Sequence, residues 1–231
     1  MRTQQELADS KRLSDIGALA ATVAHELRNP LGVMQTAVYN VRRKVADHSL
    51  DKHLTNIERK IAESTQIINN LLFHTRINEP KIEKVLLSDL LGECMANAGE
   101  RFHDINVEVE KRLDTIDGVA VDVDPFQMKE VFNNILVNAY QAVSADGGRI
   151  EIDGRPADGG HVEISIRDNG TGIDAEDVDM VFEPFFTRKS RGTGLGLAIC
   201  RQLVRLHNGE VRIESEKGQG TKVTVRLPIE A

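Results

Sequence analysis

Residues 149–167 read RIEIDGRPADGGHVEISIR. Two runs in this stretch, Arg149–Asp153 and Val162–Arg167, alternate apolar and polar side chains. Successive side chains on a strand point to opposite faces, so alternation marks a strand with one buried and one solvated face. Asp158-Gly159-Gly160 separates the two runs and supplies the turn residues of a hairpin. The stretch therefore predicts an antiparallel sheet, wet on one side, whose other side must be covered.

The flanking sequence supplies the cover. Further strand-like runs are Val85–Leu87, Ile105–Val109, Val119–Val123, Glu210–Glu214 and Lys222–Leu227. Helical runs are Ser88–Ala98, Pro125–Ser144 and Leu195–Leu206. Ser88 and Asp89 read as capping residues, and Pro125 suits a first helical position. Asp146-Gly147-Gly148 reads as a second turn between strands. From about residue 81 the chain thus predicts an α+β sandwich, with helices over one face of a mostly antiparallel sheet.

The first third differs. From about residue 3 to residue 78 the sequence is helix-forming, with one break near residues 46–49. Leu13, Ala20, Leu27, Met34 and Val41 recur every seven residues, and Ile16, Val23, Pro30 and Ala37 form a second such set. These are the inward positions of a coiled-coil-like seam. After the break, Leu54, Ile57, Ile61, Ile68 and Leu71 share a face. One helical hairpin has too little apolar surface to bury, so two hairpins joining as a dimeric four-helix bundle are expected. Glu79-Pro80 ends the second helix. The expected division is a helical hairpin over 1–79 and a mixed domain over 80–231.

Composition narrows the chemistry. The 231 residues hold 29 Lys or Arg against 36 Asp or Glu, a formal net charge of −7, and only 4% are aromatic. An acidic chain does not coat nucleic acid by bulk charge, and so few aromatics make no base-stacking platform. Any polyanion must be met by a local site. The distant Cys94 and Cys200 form no metal or disulfide pattern, which points to a reducing compartment and a cytoplasmic location. No run of 18 apolar residues is present, so no membrane segment is expected in this chain. The opening MRTQQELADSKRL reads as the middle of a helix cut from a longer protein.

Three segments of the mixed domain carry chemical signals. In Asn133-Asn134-Ile135-Leu136-Val137-Asn138-Ala139, Asn134 and Asn138 are four apart and share a helix face. Their carbonyls suit a hard cation such as Mg²⁺. Taken alone, a solvated polar stripe is the plainer reading. In Asp168-Asn169-Gly170-Thr171-Gly172, a carboxylate closes a strand before two glycines, which fits either a ligand floor or a plain turn. In Gly192-Thr193-Gly194-Leu195-Gly196-Leu197, glycines open a helix whose free N–H groups favour phosphate, and Arg188, Lys189 and Arg191 lie just before it. Gly218-Gln219-Gly220-Thr221-Lys222 lacks the ending of a phosphate-binding loop and reads as a hairpin turn.

In order, NNILVNA, DNGTGI and VFEPFFTRKSRGTGLGLAI closely resemble the nucleotide boxes of the histidine-kinase ATPase domain, a fold shared with gyrase and chaperone ATPases. The resemblance covers about residues 81–231 and implies a Bergerat-type ATP site. By it, Asn138 is the principal Mg²⁺ ligand with Asn134 in support. Asp168 binds the adenine amine, and Gly170 and Gly172 line the base pocket. Gly192, Thr193, Gly194, Leu195 and Gly196 approach the phosphates. Lys189 is the cation nearest the γ-phosphate, with Arg188 and Arg191 beside it. Phe182, Phe185 and Phe186 anchor that segment by packing. The chain departs from the family pattern twice. Arg188 stands where many members have Thr, and Tyr140-Gln141 stands where many have Lys, which shifts basic duty onto residues 188–191.

The first domain holds Ala24-His25-Glu26-Leu27-Arg28-Asn29-Pro30. With Leu27 inward, His25 points to solvent, beside the potential base Glu26 and one turn before Asn29. Pro30 removes a helical hydrogen bond and bends the helix here. On spacing alone a solvated surface histidine is the plainer reading. HELRNP, however, resembles the phosphoacceptor box of sensor histidine kinases. The resemblance implies that His25 accepts the phosphoryl group, Glu26 is general base, and Asn29 positions water when a partner is dephosphorylated. It further implies a homodimer that uses Mg-ATP and passes the phosphoryl group to an aspartate of a response regulator. A gyrase-type ATPase has no use for HELRNP, and a scaffold has no use for the intact Asn138, Asp168 and glycine set.

Overall fold

A computed structural model describes residues 27, 30–43, 50–75, 79–144, 147–189 and 194–229. The chain divides into two compact units, residues 1–78 and 79–231.

In the first unit, helix α1 runs over residues 30–43 and α2 over Asp51–Thr75. Val38 of α1 and Leu54 and Ile61 of α2 are buried together, with Leu31 packed against them. Arg42 reinforces the pairing, donating to Thr55 Oγ1 at 3.0 Å and meeting the Glu58 carboxylate at 3.1 Å. The expected seam behaves differently from these residues. Leu27, Met34 and Val41 are exposed, as are Pro30 and Ala37. Leu31 and Val38, outside both heptad sets, make the contact within the hairpin, and Met34 lines the groove beside it with Ile57 and Ile61.

The second unit is the sandwich. Its elements are β1 (Glu83–Leu86), α3 (Leu87–Arg101), β2 (Val107–Arg112), β3 (Ala120–Val123), α4 (Pro125–Ala142), β4 (Gly148–Ala157), β5 (His161–Asp168), α5 (Gly196–Leu206), β6 (Glu210–Glu216) and β7 (Gly220–Pro228). A five-stranded sheet is ordered β2-β4-β5-β7-β6, and β1 pairs antiparallel with β3 in a separate ribbon. Only β2–β4 is parallel in the larger sheet. Ile150 and Ile152, Val162, Ile164 and Ile166, and Val223, Val225 and Leu227 point inward in strict alternation. The intervening Glu151, Asp153, Glu163, Arg167 and Lys222 face solvent. Burying the inward set is the main stabilising term, at about 1.5–3 kcal/mol for each large side chain.

α4 is the central helix, packed between α3 and α5. Met128, Val131, Phe132, Ile135, Leu136 and Ala139 give it an apolar face at helical spacing. The two thiols meet it from either side, Cys94 Sγ lying 3.8 Å from the Lys129 carbonyl oxygen and Cys200 Sγ 3.6 Å from that of Val131. Both cysteines are buried and free, and burial pushes the Cys94 thiol up to about 11.

The termini of α4 are tied down. Pro125 takes the first helical position, as expected, and Asp124 is the cap, accepting from the Phe126 and Gln127 N–H groups. Its other oxygen accepts from the Lys81 N–H at 2.9 Å. The Asp124 N–H in turn donates to Nε2 of the buried His207 at 2.9 Å, and His207 Nδ1 donates to the Leu203 carbonyl at 2.8 Å. One neutral tautomer thus links the start of α4 to the end of α5.

Three local expectations are corrected. α3 starts at Leu87, and its cap position is Leu86, so Ser88 and Asp89 lie inside the first turn and Ser88 caps nothing. Gly147-Gly148 joins α4 to β4 and is not a strand-to-strand turn. β2 begins two residues later than Ile105 and runs parallel to β4. The Gly218-Gln219-Gly220 turn joins β6 to β7 as expected. Among the described residues no helix is long and apolar enough to cross a membrane.

Candidate nucleotide site

The alternation that makes β5 a strand also decides where its last residue points. Val162, Ile164 and Ile166 face inward, and two residues on Asp168 does the same. It is 5% exposed. Oδ1 accepts from the Gly170 N–H at 2.9 Å and the Thr221 N–H at 3.3 Å. Among the described residues Oδ2 receives no hydrogen bond and remains an acceptor. Burial raises the Asp168 pKa, opposed by the two N–H groups and by the Lys189 charge.

The glycines that follow are required by the protein's own backbone. A Cβ on Gly170 would lie 2.4 Å from the Ala142 carbonyl oxygen at the end of α4. Gly172 has φ +64, and its Cβ would lie 2.0 Å from the Glu216 carbonyl oxygen. Thr171, between them, donates to Ala142 O and accepts from Gly218 N–H. The segment is stitched to α4 on one side and to the β6–β7 hairpin on the other. Close backbone approach therefore accounts for both glycines without a ligand.

Along α4, Glu130, Asn134, Asn138 and Gln141 follow at spacings of four, four and three and form a polar stripe beside the apolar face. Glu130 accepts a hydrogen bond from Asn134 Nδ2 at 3.1 Å. A carboxylate only accepts, so this contact turns the Asn134 amide and leaves its oxygen toward Gly196, whose Cβ would lie 3.3 Å from it. Gly196 is the first residue of α5, and its cap position, Leu195, is buried and makes no side-chain cap. Uncapped N–H groups at the start of α5 thus stand next to the amide oxygen of α4, an arrangement suited to phosphate.

Lys189 closes the cluster. Its ammonium donates to Asn138 Oδ1 at 2.9 Å and to Gln141 Oε1 at 3.0 Å. Desolvation by the surrounding protein lowers the Lys189 pKa, and the Asp168 carboxylate opposes that shift. Arg188 turns elsewhere. Its Nε and an Nη donate to the two Asp177 oxygens, both at 2.9 Å, and it lies over the Phe186 ring. That guanidinium holds the Asp177 carboxyl below the usual carboxylate range.

Phe182 is buried, and Arg201 of α5 lies over its ring. Phe185 is 64% exposed, with φ +69, a conformation that a bulky side chain rarely adopts. Its N–H donates to Gly194 O at 2.9 Å, and a Cβ on Gly194 would lie 2.4 Å from the Phe185 carbonyl carbon. Phe185 and Gly194 are thus bound to each other across the chain between them.

The structure brings together Asn134, Asn138, Lys189 and Gly196, and it links Lys189 to Asp168 through charge. It places Arg188 on Asp177. His25, Glu26, Asn29, Arg191, Gly192 and Thr193 lie outside the described residues. Sequence reasoning missed the contacts of Glu130, Gln141 and Asp177, marking Gln141 only as a departure from the family pattern. The helical period marks the first two, since they extend the Asn134–Asn138 stripe by one turn at each end. Nothing local in the sequence marks Asp177. Among the described residues no cluster of three His, Cys, Asp or Glu side chains exists.

Residues 123–231 match the family of histidine kinase-, DNA gyrase B- and HSP90-like ATPases, and residues 15–80 match the His Kinase A (phospho-acceptor) domain. The signal transduction histidine-protein kinase AtoS of Escherichia coli strain K12 is 35% identical over 98% of this chain and 37% of its own. The chain spans between about a third and a half of the curated relatives it matches. The mycobacterial sensor histidine kinase MprB is similar in structure at TM-score 0.56 and 30% identity, covering 64% of this chain and 99% of that one. The histidine kinase ThkA, solved in complex with the response regulator protein TrrA, reaches TM-score 0.71 at 25% identity over 98% of this chain and 66% of its own.

Proposed function

Because this chain belongs to the sensor histidine kinase family, we propose that it phosphorylates its own His25 from Mg-ATP and passes the phosphoryl group to a response-regulator aspartate. The observation that carries the nucleotide half is the convergence of the inward Asp168 carboxylate, the Asn134–Asn138 stripe and the uncapped start of α5 in one unit. We assign residues 1–79 to dimerisation and phosphate acceptance and 80–231 to nucleotide binding.

Asp168 Oδ2 accepts the exocyclic amine of adenine, and the stitched Gly170–Gly172 segment floors the base. The phosphates lie along the start of α5, from Gly192 through Thr193, Gly194 and Leu195 to Gly196. Lys189 neutralises the γ-phosphate, with Arg191 in support. Arg188 is taken up by Asp177 and so holds the segment in place. The residues fit a magnesium ion: the Lys189 ammonium already sits as a cation on Asn138 Oδ1, and Glu130 turns the Asn134 oxygen outward. Asn138, with Asn134, would hold Mg²⁺, which supplies neutralisation of phosphate charge when bound.

At the acceptor, one imidazole nitrogen of His25 forms the new N–P bond. The bond from the γ-phosphorus to its bridging oxygen breaks, and ADP leaves. Glu26 takes the proton from the other ring nitrogen, leaving a neutral phosphoimidazole. Positioning and charge neutralisation do most of the work in such transfers. The regulator docks on residues 31–45 and 54–72 of the hairpin and takes the phosphoryl group onto a carboxylate. Asn29 positions water to hydrolyse the regulator's aspartyl phosphate, releasing inorganic phosphate and restoring the carboxylate. The exposed Leu27, Met34 and Val41 are the surface for a second copy of the hairpin. We place the core in the cytoplasm.

The test is incubation with γ-labelled ATP. Wild type should form an acid-labile, base-stable phosphoprotein, and His25→Ala should form none. Label retained in His25→Ala overturns the acceptor; steady hydrolysis with no phosphoprotein favours a gyrase-type ATPase.

A further inference from the structure

Gln141 has no part in the function proposed above. Its neighbour Tyr140 is occupied elsewhere, stacked on Phe102 with ring centroids 4.9 Å apart. Gln141 Oε1 and Asn138 Oδ1, one turn apart on α4, converge on the Lys189 ammonium at 3.0 and 2.9 Å. A lysine at position 141 would set two ammonium groups within contact of each other, so the neutral amide and the seated lysine form a matched pair. Asn138 Oδ1 is also the oxygen assigned above to the metal. One oxygen does not serve an ammonium and a magnesium ion at full strength together, since both draw on the same partial charge and repel each other at that distance.

We propose that Gln141 parks Lys189 on Asn138, so that the ammonium and Mg²⁺ compete for Asn138 Oδ1 and Gln141 sets the magnesium concentration at which nucleotide binds. This rests on the functional reading above. The parked lysine screens Asn138 and the nearby Asp168 carboxylate until phosphate draws it away. Gln141 touches neither metal nor nucleotide in this scheme. It acts through Lys189 and is a positioning residue. The neutral Gln141 amide gives the Lys189 ammonium a resting place on α4.

The test is binding of trinitrophenyl-ATP, followed by fluorescence, as a function of free Mg²⁺. Gln141→Leu keeps the side-chain volume and removes the acceptor. It should lower the magnesium midpoint about fivefold, the effect of one hydrogen bond. With trinitrophenyl-ADP, which lacks the γ-phosphate that Lys189 meets, the same change in a Lys189→Met background should leave the midpoint unmoved, because the coupling runs through the ammonium. An unchanged or raised midpoint in Gln141→Leu overturns the proposal. So does an equal shift in both backgrounds. Circular dichroism and thermal melting of each variant exclude misfolding as the cause. A wild-type protein that binds no nucleotide at any magnesium concentration refutes the functional reading itself, and is thereby distinguished from failure of the parking contact.

Discussion

Asp168 is a carboxylate at the end of a buried strand face, and its two oxygens are used differently. Oδ1 is committed to the Gly170 and Thr221 N–H groups, so an amide at this position keeps both bonds through its own oxygen. Asp168→Asn should therefore fold with little change in melting temperature. It should lose at least about tenfold in ATP affinity, because a buried acceptor has become a donor facing an amine. Titration calorimetry beside thermal melting separates the two. The pH dependence has a sign. Burial raises the Asp168 pKa, so the carboxylate form is lost at a higher pH than for an ordinary aspartate. Nucleotide affinity should begin to fall on acidification above the ordinary aspartate range, and Asp168→Asn should remove that dependence. The sequence announces Asp168 by its place after an alternating strand. The helical period places Glu130 and Gln141 on the Asn134–Asn138 face, but their roles come from hydrogen bonds that only the folded helix and the far segment at Lys189 create.

At the scale of elements, α4 carries the Asn134 and Asn138 amides, and Asp124 fixes its start. Burial by itself would push the Asp124 carboxyl up, but the N–H groups of Gln127, Lys81 and Phe126 outweigh it and the pKa is lowered. A depressed folded pKa means stabilisation that is complete above the unfolded pKa and lost as pH falls through the folded value. Asp124→Ala should cost about 1–2 kcal/mol at neutral pH in denaturant melts, the usual effect of losing such a cap, and the deficit should shrink in acid. Pro125 foretold this helix start, and the alternation in β4, β5 and β7 foretold the sheet. Other element boundaries were not legible, for a physical reason. α3 starts without a side-chain cap, because Leu86 leaves the β1 ribbon and passes directly into the helix. β2 has polar residues on an edge strand, and its parallel partner is chosen by the path of the chain, which local pattern does not encode.

At the scale of the whole molecule, the hairpin spends Leu31, Val38, Leu54 and Ile61 on itself and leaves Leu27, Met34 and Val41 open. Heptad spacing made that stripe legible but could not say which helix pair it serves. Met34 is 52% exposed in the single chain, so Met34→Glu costs the monomer little, yet it places a carboxylate within the proposed dimer seam. Sedimentation should show the dimer dissociation constant raised at least about tenfold. The two compact units also have a calorimetric consequence, which follows from where Asp168 sits. Its strand, β5, lies at the middle of the sheet between β4 and β7. A ligand held there is linked to unfolding of the entire sheet, and a site filled to a hundred times its dissociation constant adds about 2.7 kcal/mol to that unit alone. Scanning calorimetry with ATP and magnesium should move one transition upward and leave the hairpin transition in place. Heat capacity would then act as a thermometer for which half of the chain has met its nucleotide.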